Sequence, residues 1–286
     1  MTATVPTTYV LTLTCTDRPG LVRAVSSFLD DRGCDIIESQ QFDDVTGTEF
    51  YMRLEFRSRD LGLEALRESF GDVAAAHEMT WALVDSAAPF RTLIMVSRFG
   101  HCLNDLLYRH STGTLNIEIP AIVSNHRDHE RLAAAYDVPF FHVPVTPDTK
   151  PAAEAELLRL VDDLDIDLVV LARYMQVLSD DLTKQLDGRA INIHHSFLPS
   201  FKGAKPYHQA FDRGVKLIGA TAHYVTPDLD EGPIIEQDVT RVDHRTTAEH
   251  MVRAGRDVEC TVLSRAVQWH AESRLLNGRN RVVVFP

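Results

Sequence analysis

The sequence predicts an α/β chain in two parts, a small βαββαβ domain at residues 1–86 and a larger doubly wound, mostly parallel sheet at residues 90–286. Three observations predict it. Short apolar runs at Arg91–Val96, Ile117–Val123 and Leu168–Ala172 alternate with helical stripes, the pattern of a parallel sheet covered on both faces. Before residue 86 the order is instead strand, helix, two strands, helix, strand. Between the two parts, Ser86-Ala87-Ala88-Pro89 carries no periodic apolar pattern and reads as a linker.

The elements follow in order. Tyr9–Cys15 alternates with β-branched residues and predicts a strand, closed by a turn at Asp17-Arg18-Pro19-Gly20. Leu21, Val22, Val25, Phe28 and Leu29 recur at helical spacing, and the helix should stop near Arg32-Gly33. Ile36–Phe42 and Glu49–Phe56 read as strands joined by a turn at Asp44-Val45-Thr46-Gly47. A helix around Leu61–Phe70 and a strand near Met79–Val84 complete the first domain. In the second, Arg91–Val96 is a buried strand, followed by a helix through Cys102–His110 and a strand at Ile117–Val123. Ala152–Leu164 carries a helical stripe of leucines and valine, and Leu168–Ala172 is a central strand. Ala190–Ile193 reads as a short strand, and Pro199, Gly203 and Pro206 mark an irregular loop after it. Leu217–Val225 and Pro233–Val242 are strands flanking a loop at Asp228–Gly232. Thr247 begins a long helix ending near Ser273, with Thr246 or Thr247 as its cap and Glu249 in the first turn. Arg281–Phe285 is a terminal strand.

Composition bounds the function. The 286 residues are 44% hydrophobic and 24% charged, as in ordinary globular chains, and the formal net charge of −12 argues against nonspecific binding to nucleic acid or anionic membrane. A local basic pocket for an anion remains compatible with that charge, with Arg173, Lys202 and Lys205 as its candidates. The expected location is cytoplasmic, because no run of about eighteen apolar residues and no signal-peptide pattern is present. Cys15, Cys34, Cys102 and Cys260 lack metal-ligand spacing and read as buried thiols. The histidine pairs His126/His129 and His194/His195 come without an HExxH or paired-cysteine motif, so no metal site is expected.

The chemistry concentrates in Asn192-Ile193-His194-His195-Ser196-Phe197-Leu198-Pro199-Ser200-Phe201-Lys202-Gly203 and in Asp230-Glu231-Gly232-Pro233. In an extended strand Asn192 and His194 share a face, at the carboxyl end of the sheet where ligands bind. An amide there can donate to a developing oxyanion, an imidazole can move protons, and a carboxylate such as Asp230 can orient that imidazole. This division of labour suits carbonyl chemistry.

These two motifs, with Asp230 36 residues after His194, resemble the signature of the folate-dependent formyltransferase fold, which is Rossmann-like. The first domain, with its Asp17-Arg18-Pro19-Gly20-Leu21 opening, resembles an ACT domain, and these five residues would then form an effector site for a small amino acid such as glycine or methionine. The combined order is similar to the formyltetrahydrofolate deformylase family. The similarity extends to Gly203–Ala210, Gly219–Val225 and Ala254-Gly255-Arg256-Asp257-Val258-Glu259. The resemblance implies hydrolysis of 10-formyltetrahydrofolate, with Asn192, His194 and Asp230 as the catalytic residues. It implies folate contacts at Met175, Gln176, Val177, Leu178, Thr226, Asp228 and Gly203. It also implies no separate cofactor, the folate being the substrate, and a homo-oligomer formed through ACT-like domains. Two alternatives stand beside it: transfer of the formyl group to an amine such as glycinamide ribonucleotide, and an amino-acid-responsive sensor that only binds folate. Ser97-Arg98-Phe99-Gly100-His101-Cys102-Leu103 favours hydrolysis over transfer. With one glycine among bulky side chains, it lacks the glycine-rich cradle that lets backbone amides hold a substrate phosphate.

Overall fold

In the first unit, alternation along the strands and apolar stripes on two helices dictate a one-sided sheet. The computed structural model describes residues 6–44, 46–200, 206–278 and 281–286. β1 (Thr7–Thr16), α1 (Leu21–Asp30), β2 (Asp35–Asp44), β3 (Glu49–Ser58), α2 (Leu63–Ala76) and β4 (Thr80–Asp85) form an antiparallel sheet of order β2-β3-β1-β4. Leu21, Val25, Phe28 and Leu29 of α1 and Leu66, Phe70 and Ala74 of α2 bury their stripes against Leu11, Leu13, Leu54 and Phe56. The Phe70 ring lies edge-on to both Phe28 and Trp81, with centroids 5.0 Å apart in each pair.

The second unit is the doubly wound sheet. It runs β5 (Phe90–Val96), α3 (His101–Ser111), β6 (Ile117–Ser124), α4 (Glu130–Ala135), β7 (Phe140–His142), α5 (Lys150–Asp163), β8 (Leu168–Leu171) and α6 (Asp180–Gln185). It continues with β9 (Ala190–His194), α7 (Pro206–Asp212), β10 (Leu217–Tyr224), β11 (Ile234–Arg241) and α8 (Ala248–Ala271). The strand order is β11-β10-β9-β8-β5-β6-β7. From β7 to β9 all neighbours are parallel, whereas β10 runs antiparallel to both β9 and β11. Leu168, Val169 and Val170 are fully buried, as a strand covered by helices on both faces requires. The chain winds away from β5 in both directions, so the carboxyl ends of β5, β8 and β9 open on the crevice where such sheets bind ligands.

Several elements differ from expectation. α4, β7 and α6 have six, three and six residues, too few for a periodic pattern to register. α7 stands in the stretch read as loop: Pro206 is its first residue, a position where the missing N–H is harmless. Lys202, Gly203 and Lys205 lie outside the described residues. Of the two candidate caps of α8, Thr247 serves, its hydroxyl accepting from the His250 N–H at 3.3 Å. Cys15 and Cys102 are buried, but Cys34, in the connection between α1 and β2, and Cys260, on α8, are only half-buried.

The carboxyl end departs most. Instead of one terminal strand in the second domain there is a hairpin of β12 (Leu275–Asn277) and β13 (Val282–Val284), and Glu272–Pro286 groups with Met1–Ala88 rather than with Pro89–Ala271. The cause lies on β3. Tyr51 packs against Leu276 and Phe285, and the buried Arg53 guanidinium donates to the carbonyls of Ser273 and Glu272, both at 3.2 Å. Removing that guanidinium leaves two carbonyls without their charged donor, a loss of roughly 1–3 kcal/mol. Arg53→Ala is therefore expected to accelerate amide exchange across 275–284 about tenfold or more, with exchange in the second unit unchanged.

Candidate active site

Antiparallel pairing of β9 with β10 sets Asn192 directly opposite His223 and His194 opposite Thr221. Asn192 and His194 share one face of β9, as the two-residue period dictates. The Asn192 side-chain nitrogen lies 3.2 Å from His223 Nε2, and His223 Nδ1 lies 2.8 Å from the Tyr224 carbonyl oxygen. A carbonyl only accepts, so Nδ1 carries the proton and Nε2 offers a lone pair. Asn192 therefore donates one N–H to His223, which fixes the amide's orientation and leaves its second N–H free. Burial lowers the His223 pKa and keeps this ring neutral.

Asp230 arrives from the loop that joins β10 to β11. Its φ of 58° is a left-handed conformation that a non-glycine residue adopts only when its surroundings enforce it. The enforcement is visible two residues on. A Cβ at Gly232 would collide with the Tyr224 carbonyl oxygen, and the Tyr224 N–H donates to Pro233 O at 3.0 Å, so the loop is drawn tightly onto the end of β10. The pairing of β10 with β11 skips Ile235 at the same place. Asp230 Oδ1 thus stands 3.1 Å from Nδ1 of His194, a residue only 5% exposed. The hydrogen bond from His194 holds the Asp230 carboxyl below its usual pKa despite partial burial. With Nδ1 committed to this carboxylate, Nε2 carries the lone pair, and it has no hydrogen-bond partner among the described residues.

A cavity of about 200 Å³ opens in front of these groups, and Asn192, His194 and Asp230 all line it. Met175, Gln176, Val177 and Leu178 form one wall, and Thr226 and Asp228 another. The first wall is pinned to the end of β5: the Ser97 N–H donates to Arg173 O at 3.2 Å, and the Met175 N–H donates to Ser97 Oγ at 2.9 Å. Gly203, expected here, lies outside the described residues.

Three lining residues carry a role that the motif reading passed over or left open: His223, His195 and Arg173. His195 stacks on His194, with centroids 5.2 Å apart and planes 22° from parallel. Burial first, and the Arg173 charge next, push its pKa down to about 3, so a neutral ring flanks the proton carrier. A histidine in the mostly apolar run Leu217–Tyr224 was the available signal for His223. Arg173 had been singled out as an anion candidate, and it is the one of the three candidate cations that the described residues place at the cavity.

In the first unit, Asp17, Arg18, Gly20 and Leu21 line an open depression with Val22, Arg23, Ser26 and Phe50, while Pro19 is not part of the lining. One set of metal-ligating types converges among the described residues, with His101, Cys102 and Glu259 ligand atoms within 4.8 Å of one another. It does not fit a cation. The Arg173 guanidinium already stands 3.3 Å from Glu259, and the Cys260 hydrogen bond and burial hold the Cys102 thiol protonated, well above its usual pKa.

Comparison with known proteins gives the family. Residues 90–267 match the family model described as formyl transferase, and residues 9–71 match that of the ACT domain. The chain is 53% identical over 280 residues to a formyltetrahydrofolate deformylase of Corynebacterium sp. (strain P-1), covering 97% of this chain and 98% of that protein. It superposes on a crystal structure of formyltetrahydrofolate deformylase from Burkholderia mallei with a TM-score of 0.95 and 52% identity, over 98% of this chain and 100% of the other. A glycinamide ribonucleotide transformylase from Symbiobacterium toebii aligns with only 70% of this chain, though with 95% of its own, at TM-score 0.65 and 29% identity. The chain belongs to the formyltransferase family, and within it to the two-domain formyltetrahydrofolate deformylases.

Proposed function

We propose that this chain hydrolyses 10-formyltetrahydrofolate to formate and tetrahydrofolate. The observation that carries the reading is the state of His194: Nδ1 is committed to Asp230 at 3.1 Å, and Nε2 is unpartnered on the face it shares with Asn192. Water attacks the formyl carbon and gives a proton to Nε2. The formyl oxygen becomes an oxyanion and accepts the second N–H of Asn192, the first being held by His223. Breaking the C–N bond sends its electron pair to the folate nitrogen, which receives the proton from His194, and formic acid ionises to formate. Asp230 stabilises the imidazolium while it exists. The pteridine lies against Met175–Leu178 and the loop at Thr226–Asp228, whose backbone groups suit a flat heterocycle with alternating donors and acceptors. Tetrahydrofolate enters only as part of the substrate, and no further cofactor takes part.

The first unit acts as a regulatory module. Its depression at Asp17–Leu21 takes a small amino acid, and copies of the chain associate through this unit. The outer strand β2 supports association: among the described residues it pairs only with β3, and it exposes Ile36, Ile37 and Phe42. No helix among the described residues is long and apolar enough to cross a membrane, which is compatible with a cytoplasmic site of action.

Formate release from purified protein supplied with 10-formyltetrahydrofolate alone tests the reaction. Glycinamide ribonucleotide added to the same assay tests the transferase alternative, which a formylated amine product would establish. His194→Ala and Asp230→Asn are each expected to lower turnover by ~10²–10⁴ while folate binding, followed by fluorescence titration, stays within a few fold; near-normal turnover in either refutes the assignment. His223→Leu should reduce kcat about tenfold or more with KM little changed, since a misoriented amide need lose only about 1.4 kcal/mol of transition-state binding for that effect. Glycine or methionine should alter the rate of formate release about fivefold or more, and Asp17→Ala should remove the response. Indifference to both amino acids would discard the effector reading.

A further inference from the structure

His223 and the loop that carries Asp230 both rest on Tyr224, a residue with no part in the chemistry above. Its carbonyl oxygen accepts the Nδ1 proton of His223 at 2.8 Å, and the same oxygen is the atom that a Cβ at Gly232 would strike. Its N–H donates to Pro233 O at 3.0 Å. The main chain of Tyr224 therefore supports the ring that orients Asn192 and the turn that aims Asp230. A displacement there would move both.

What holds Tyr224 lies on the other face of the sheet. Side chains alternate along β10, so the Tyr224 ring points away from the face of His223 and is 3% exposed. There it meets His270, in the last turn of α8. The Tyr224 hydroxyl stands 2.9 Å from His270 Nδ1, and the His270 ring is in turn edge-on to Phe90, the first residue of β5, with centroids 5.5 Å apart and planes at 79°. Burial pushes the Tyr224 phenol up, so it keeps its proton, and pushes His270 down to about 4, so that ring is neutral near pH 7. The hydroxyl has no second hydrogen-bond partner among the described residues. A buried O–H without an acceptor is costly, so the hydroxyl donates and Nδ1 accepts.

Packing alone does not call for this pair. The neighbouring inward positions of α8 are Val262, Leu263, Ala266 and Val267, all buried and apolar. Replacing both partners of a buried hydrogen bond by apolar groups of similar shape is often nearly neutral for stability. What an apolar pair cannot supply is direction: a hydrogen bond fixes the Tyr224 ring at one distance and angle from α8, and through the ring it fixes the main chain beneath.

We infer that His270 is a positioning residue: by accepting the Tyr224 hydroxyl it holds the Tyr224 main chain where its carbonyl keeps the His223 ring on Asn192 and where the Gly232 turn brings Asp230 to His194. The acceptor atom matters here, and the bulk of the ring does not suffice. The effect on rate rests on the hydrolase reading given above; the effect on the main chain does not.

Three variants test it. His270→Phe keeps an aromatic ring and removes the acceptor, His270→Asn sets an amide oxygen near the place of Nδ1, and Tyr224→Phe deletes only the hydroxyl. In formate release, His270→Phe and Tyr224→Phe are each expected to lower kcat about tenfold with KM within about twofold. The double variant should be no slower than the slower single one, because both lose the same bond. His270→Asn should recover most of the rate. Amide exchange across residues 224–233 should quicken about tenfold in both phenylalanine variants and stay near wild type in His270→Asn. A lowered unfolding temperature with unchanged kcat overturns the inference, since that is the signature of a merely structural contact. So do losses that multiply in the double variant, and so does an asparagine variant no better than phenylalanine. If the His270 variants do not fold, Tyr224→Phe decides: slower turnover with faster exchange supports the inference, and wild-type values of either overturn it. The exchange measurement needs no formyl donor. Wild-type protein that releases no formate would therefore remove the hydrolase reading and leave the positioning of the Tyr224 main chain to be decided by exchange.

Discussion

The register between β9 and β10 is the constraint on which the site depends. A slip of one residue would turn Asn192 and His194 to the opposite face of the sheet and exchange His223 for Ala222 or Tyr224. The same pairing fixes the loop beyond β9. Thr221, opposite His194 and fully buried, donates its hydroxyl to Ser196 O at 2.9 Å and accepts from the Leu198 N–H at 3.1 Å and the Gln237 side chain at 2.9 Å. With both lone pairs and its proton engaged, that hydroxyl has one arrangement. The strand and the loop that carry Asn192, His194 and His195 are therefore set by one antiparallel contact, which the collision-limited turn at Gly232 extends to Asp230.

Within that frame the two rings beside His194 are held neutral. His223 is neutral because burial outweighs the Tyr224 carbonyl and Asp230, both of which favour its charged form; His195 is neutral because it is buried beside Arg173. Two cationic neighbours would oppose protonation of His194 at the moment it accepts a proton. Two neutral rings do not, and the Asp230 carboxylate favours it. Neutral His223 has a second effect, since only its unprotonated Nε2 can hold the Asn192 amide with an N–H left over for an oxyanion. The protonation states and the geometry support each other, as expected where a site is preorganised rather than assembled by the substrate.

Much of this was legible in the sequence, for definable reasons. Periods of two and 3.6 residues gave the sheet-forming runs and the long helices, and the two-residue period alone puts Asn192 and His194 on one face. The 36 residues between His194 and Asp230 carry no such rule, and the family signature was needed to join them. What joins them physically, a left-handed residue and a glycine packed on a carbonyl, leaves no periodic trace. His223 escaped because its partner is defined by cross-strand register. His195 escaped because alternation would place it on the far face, whereas the strand ends at His194 and the bend that follows lays its ring on its neighbour. The terminal hairpin was assigned to the wrong unit because its anchors, Tyr51 and Arg53, stand more than two hundred residues earlier in the chain.

The Glu259 cluster is the harder case, and energetics bear on why it exists. Withdrawing a carboxylate and a guanidinium from water costs several kcal/mol for each ion, and replacing buried ion pairs with well-packed apolar side chains is often neutral or stabilising. The neighbourhood offers such a solution, since Leu103, Leu106 and Leu107 of α3 and Val262 and Leu263 of α8 are all buried apolar residues. Stability alone therefore does not account for a buried carboxylate that accepts from the His101 ring at 2.7 Å and the Tyr207 hydroxyl at 2.8 Å, stands 3.3 Å from Arg173, and has Gly255 one turn before it where a side chain would collide with the Tyr207 ring.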